Sequence, residues 1–154
     1  MTVETAAPQF VAAARGWATR RDIADKIPLL LGEAWDFVRK SGLKTTGHNI
    51  VIYHPEPGGS FEKEGCAIEA GPGIAKKFSG KGKIVCAKTP GGAVVTTRHT
   101  GPYYLIPQAH DAIFKWCGAH KRKPKGICWE VYGHWTEDES KLVTDVYYLL
   151  DGKP

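Results

Sequence analysis

A single offset relates the two halves of this chain. Ile27-Pro28 recurs as Ile106-Pro107, Gly47 as Gly126 and Tyr53 as Tyr132, each 79 positions on. At the same offset Trp35 meets Phe114 and Phe37 meets Trp116. A gapless register running from the start of a helix into the middle of a strand points to a duplicated supersecondary unit.

Each unit reads as βαββ. In the first, Phe10–Trp17 is a strand diluted by alanine, and a helix is expected over Ile27–Gly42. Pro28 suits its first turn, and Leu30, Leu31, Ala34, Trp35 and Val38 recur at helical spacing. Lys40 and Gly42 suit its C-terminal end. Strands follow over His48–His54 and Gly65–Ala70, separated by the turn-forming run Pro55–Gly59. In the second unit, a strand over Ala93–His99 breaks at Thr100-Gly101-Pro102. A helix then runs from Ile106 through Cys117, with strands over Ile127–Tyr132 and Leu142–Leu150. The repeats are placed at about 9–70 and 93–151. Residues 71–92, with six glycines, read as a linker that holds a short strand at Lys83–Ala87. The 154 residues are expected to form one domain over 1–154.

Composition excludes several classes. Hydrophobic content of 42% and charged content of 24% are those of a globular protein. No apolar run reaches the roughly 20 residues of a membrane helix, and MTVETAAPQF lacks the layout of an export signal, so a cytoplasmic location and no membrane partner are expected. Cys66, Cys86, Cys117 and Cys128 form no CxxC pair and read as reduced, packed thiols. Cys117, His120 and His110 are spaced too loosely for a metal site, and no metal is expected. The net charge of +5 comes from lysines in Gly/Pro-containing connections without interleaved aromatic residues, so direct nucleic-acid binding is not expected.

The repeat also exposes a break in its own symmetry. Asn49–Tyr53 aligns with Cys128–Tyr132, which places Glu130 where the first unit has Val51. Side chains alternate along a strand. Ile50 and Ile52 therefore share a face with Trp129 and Val131, and this apolar face is expected beneath the helices. The other face carries Val51 and Tyr53 in one half, Glu130 and Tyr132 in the other. A solvated carboxylate on an open sheet face is the plain alternative. Two tyrosines beside a carboxylate suit a flat or cationic organic molecule, since rings stack and attract cations while the carboxylate supplies counter-charge.

RHTGPYYLIP (98–107) and GICWEVYGHW (126–135), ahead of TDVYYLL (144–150), resemble the gyrase-inhibitor-like (GyrI-like) family. That family includes effector-binding domains of bacterial multidrug-responsive transcription activators. The resemblance implies an α+β fold in which a duplicated βαββ unit forms a curved antiparallel sheet, with two helices on one face and a ligand cleft on the other. It places the glutamate of the W-E-x-Y motif, Glu130, on the cleft floor. Tyr132, Tyr53, Tyr103, Val51, Trp17 and Tyr148 are the expected lining, with Tyr147 as the substitute for Tyr148.

Three functions stay open on these residues. The first is a stand-alone binder of small hydrophobic or cationic organic molecules. The net charge opposes a cation at long range, but salt screens beyond about 8–10 Å. The second is a hydrolase of cyclopropane-bearing electrophiles, with Glu130 as general base on water and Tyr103 as hydroxyl donor. The third is a protein-interaction module of gyrase-inhibitor type, or an effector domain awaiting a DNA-binding partner. Residues before Phe10 hold no helix-turn-helix, so direct transcriptional control is not expected. No cofactor is expected; a haem reading, carried by a distantly related family of the same architecture, would need His48, His54, His99 or His134. The 71–92 stretch is either a lid or a connector.

Overall fold

The computed structural model describes every residue except 58, 60 and 62. The order is β1 (Thr2–Ala6), β2 (Phe10–Ala18), α1 (Ile23–Ser41), β3 (Thr45–His54), β4 (Cys66–Ile74), β5 (Ile84–Lys88), β6 (Gly92–Thr100), α2 (Ile106–Ala119), β7 (Pro124–Tyr132) and β8 (Val143–Leu150). A 3-10 turn, Tyr103–Leu105, leads into α2. The strands form one antiparallel sheet in the order β1-β6-β8-β7-β3-β4-β2-β5. The α+β class and the duplicated unit are as the repeat predicts.

Two short connections force the sheet to curl. Three residues join β1 to β2 and three join β5 to β6, yet each pair lies six strand intervals apart in the sheet. On a flat sheet that separation is about 29 Å. Four Cα steps span at most about 15 Å. The strands ahead of the two units are also exchanged: β1 pairs with β6 of the second unit, and β5 pairs with β2 of the first. This exchange ties the halves together.

The duplication reaches backbone detail. The β3–β4 ladder shifts register between Thr45 and Asn49, and the β7–β8 ladder between Pro124 and Cys128. Gly47 and Gly126 sit in these bulges with φ of 108° and 100°, a conformation that glycine adopts without a Cβ clash. Ion pairs repeat as well. Arg15–Glu69 and Arg98–Asp145 occupy equivalent ladder positions, next to Ile52 and Val131 respectively.

Both sheet faces carry a buried core, formed by different means. On one face, α1 seats Leu30 and Ala34 against Ala14, Val51, Ile68 and Ala70. Beside it, α2 seats Ile106, Ala109, Ile113 and Cys117 against Val95, Cys128, Val146 and Tyr148. On the other face, Val11, Ala13, Ile50, Ile52, Val94 and Trp129 pack together within the curl of the sheet. The helices therefore cover the Val51/Glu130 face. The expectation that Ile50, Ile52, Trp129 and Val131 lie beneath the helices is corrected. An apolar face implied a helix above it, but the curled sheet supplies that cover itself.

Three element boundaries also differ from the sequence reading. Helix α1 begins at Ile23, so Pro28 lies inside it. Its start is set by Thr19 and Asp22: the Thr19 N–H donates to Asp22 Oδ1 at 2.7 Å, and the Asp22 N–H reaches back to Thr19 Oγ1 at 3.4 Å. The 71–92 stretch holds more strand than expected, because β4 continues through Ile74 before β5 covers Ile84–Lys88, where the short strand was expected. Between them, Phe78 packs on Phe37 and Lys83 pairs with Glu33, so this connection lies against α1. Strand β1 was not anticipated; it is short and takes its order from pairing with β6.

Candidate functional site

Glu130 projects from β7 toward the helices and is 3% exposed. Three side chains hydrogen-bond its carboxylate. The hydroxyls of Tyr53 and Tyr132 both donate to Oε1, at 2.7 and 2.6 Å. His110 of α2 places Nε2 at 2.7 Å from Oε2. The His110 Nδ1 lies 2.7 Å from the Tyr148 hydroxyl. With Glu130 ionised, an imidazole protonated at Nε2 donates to it, and Tyr148 donates to Nδ1.

The sheet register explains why these groups meet. Val51 pairs with Glu130 across β3–β7, and Tyr53 lies two residues along on the same face. Tyr132 is two residues beyond Glu130 on its own strand, and Tyr148 is carried by the neighbouring β8. Helix α2 lowers His110 onto them from above. Burial, and then the adjacent Glu130 charge, push the phenols of Tyr53 and Tyr132 well above their ordinary pKa. Burial does the same to Tyr148. All three remain protonated hydroxyls near neutral pH.

Aromatic rings enclose the network. Tyr103 stands edge-on to Tyr132 at 5.5 Å and is 40% exposed. Phe61 meets Tyr53 edge-on at 6.0 Å, and Phe114 meets Tyr148 at 5.1 Å. Of the residues expected to line a cleft, the structure thus gathers Glu130, Tyr132, Tyr53, Tyr103, Val51 and Tyr148. It does so on the helix side of the sheet, not on the opposite face where these residues were expected. Trp17 is corrected too. It lies on the other face of β2 from Ala14 and Ala18, is 46% exposed, and donates Nε1 to the Glu64 carbonyl. Tyr147 stacks on Trp129 on that far face. The hydroxyls that bond Glu130 are those of Tyr53 and Tyr132, and Tyr103 stands against Tyr132 at the edge of the group.

His110 was missed as a partner of the carboxylate. Its counterpart at the 79-residue offset is Leu31, so the comparison that singled out Glu130 would have found it. His110 turns away from Cys117 and His120, and His120 stacks on Trp116. Among the described residues no three His, Cys, Asp or Glu side chains converge as a metal site. His99 Nε2 lies 2.9 Å from the Pro102 carbonyl, a strand-end contact.

A second buried carboxylate, Glu69, lies on the far face. It bonds His54 Nε2 at 2.5 Å and Arg15 Nε at 3.1 Å, beside an open cavity of about 390 Å³.

A family model described as the GyrI-like small molecule binding domain matches residues 8–150. The chain belongs to the GyrI-like family. Its fold is shared with the EcmrR C-terminal domain, at TM-score 0.84 and 17% identity over 99% of this chain and 97% of that one. EcmrR in a DNA complex superposes at TM-score 0.80 and 18% identity; this chain spans 57% of that protein's length and 99% of its own. SAV2435 bound to tetraphenylphosphonium superposes at TM-score 0.70 and 10% identity, covering 98% of this chain and 93% of that one. No curated protein matches the chain. At these identities the structural likeness establishes the fold. Among the described residues no helix of this GyrI-like domain is long and apolar enough to cross a membrane.

Proposed function

We propose that this GyrI-like domain binds lipophilic, aromatic organic cations, with Glu130 as the acidic floor beneath α1 and α2. The observation that carries the reading is a carboxylate at 3% exposure whose hydrogen bonds come from two phenols and an imidazole. An ionised group in such a place costs free energy that an organic cation offsets. Surrounding rings add cation–π attraction of about 0.5–2 kcal/mol each. SAV2435, which shares the fold, holds a compound of this kind. His110 is the more exposed partner of the Glu130 pair, at 20% against 4% for the side chains. Entry is therefore from the His110 side, and the cation takes the place of the imidazole.

The hydrolytic reading uses the same carboxylate but is less well supported. Both phenols already engage Oε1, and His110 engages Oε2, which leaves little lone-pair capacity to activate a water.

Titration with tetraphenylphosphonium, followed by tyrosine and tryptophan fluorescence, tests the proposal. Glu130→Gln is expected to weaken binding at least tenfold. It keeps the fold, because the amide oxygen still accepts from Tyr53 and Tyr132 and the amide N–H donates to the other His110 tautomer. Equal binding by wild type and a folded Glu130→Gln would overturn it.

A further inference from the structure

The two units differ at another buried position on the helix face. In the first, Tyr53 pairs with Ile68; in the second, Tyr132 pairs with Thr144. Ile68 and Thr144 thus occupy equivalent places, and an isoleucine has become a threonine beside the same tyrosine. Thr144 is fully buried, and its Oγ1 has no hydrogen-bond partner. A buried hydroxyl left unpaired is unfavourable and calls for an explanation.

Its surroundings supply one. Thr144 shares its face of β8 with Val146 and Tyr148, between Tyr132 on β7 and His99 on β6. Tyr132 reaches Glu130, and Tyr103 covers Tyr132 edge-on from the short Tyr103–Leu105 turn. Tyr103 is partly exposed, so the cover over this end of the site is a surface side chain. Three helix-side positions become polar in the second unit: Val51 to Glu130, Leu31 to His110 and Ile68 to Thr144. The first two bond each other; the third lies across the ladder from Tyr132 with its hydroxyl unpartnered.

We infer that Thr144 is a specificity-determining contact of this site, one that hydrogen-bonds a neutral heteroatom on the bound cation. The inference rests on the binding function proposed above and narrows its ligand class. The preferred compounds carry two features: a cationic centre for Glu130, and a hydroxyl, carbonyl or ether group toward the Tyr103 end. A cation with a purely hydrocarbon periphery satisfies only the first.

The test compares tetraphenylphosphonium with its ortho, meta and para mono-hydroxymethyl derivatives, using wild type, Thr144→Val and Thr144→Ser. In wild type at least one isomer should bind about three- to tenfold more tightly than the parent, the ratio expected for one net hydrogen bond. Thr144→Val should abolish that preference, so that no isomer binds more tightly than the parent compound, and Thr144→Ser should retain it. Loss of the unpaired hydroxyl should also raise the melting temperature of ligand-free Thr144→Val by about 2–4 °C. If no isomer is preferred by wild type, or the preference survives in Thr144→Val, the inference is overturned. Failure of wild type to bind any of these cations would instead overturn the proposed function, and the melting comparison would still report on the hydroxyl.

Discussion

Glu130 Oε2 lies 2.7 Å from His110 Nε2, and the position equivalent to His110 in the first unit is Leu31. The internal pair therefore exists in one half only. In the binding mode proposed above, the cation takes the place of this imidazole and has to displace it.

His110→Leu, which restores the residue of the first unit, should separate stability from binding. It leaves Oε2 of the buried Glu130 without a partner and removes the imidazole from the Tyr148 hydroxyl, so the free protein should lose about 1–3 kcal/mol in urea unfolding. Tetraphenylphosphonium should bind more tightly to this variant, because no internal contact has to break first. Weaker binding to a folded His110→Leu would mean that the imidazole supports the ligand rather than competing with it.

Acid should act on the far face through Glu69. Desolvation works to raise its carboxyl, but the hydrogen bond and charge of His54, joined by Arg15, outweigh burial and hold it below the usual carboxylate value. A group whose folded pKa is lowered stabilises the fold above its unfolded pKa. That contribution disappears as pH falls through the folded value. The stability gap between wild type and Glu69→Gln should thus be full near neutrality and shrink below about pH 4. Urea midpoints across that range measure it, and a gap independent of pH would exclude Glu69 as the titrating group.

The C-terminal ends of the two helices offer a stabilising change. Gly42 ends α1 at φ 68°, and its counterpart after α2 is Lys121 at φ 52°. A residue with a Cβ is strained there, whereas glycine is not. Lys121→Gly should raise stability by about 1 kcal/mol, read as a higher denaturation midpoint with unchanged tetraphenylphosphonium affinity. A lower midpoint would mean that the lysine side chain contributes more than its backbone costs.

Much of the architecture was legible because duplication leaves a trace in residue order. The 79-residue offset located both helices and the central strands β3 and β7, and the paired glycines of the bulges share it. Helix α1 was placed too far along because Pro28 looked like a first-turn residue, while Thr19 and Asp22 set the actual start. Strand β1 left little trace, since an edge strand owes its order to a partner distant in sequence. Trp17 was misplaced because the parity of β2 follows from its pairing with β4, which local pattern does not reveal.

The sequence by itself determined which residues share a strand face, because side chains alternate along any strand, and it marked Glu130 as the charged substitute for Val51. Which face the helices cover was decided only by the tertiary structure. Alternation groups residues but does not orient the group, and the short β1–β2 and β5–β6 connections curl the sheet until its far face is buried without a helix. The same long-range geometry brings His110 and Tyr148 to Glu130 and leaves the Thr144 hydroxyl beside Tyr132.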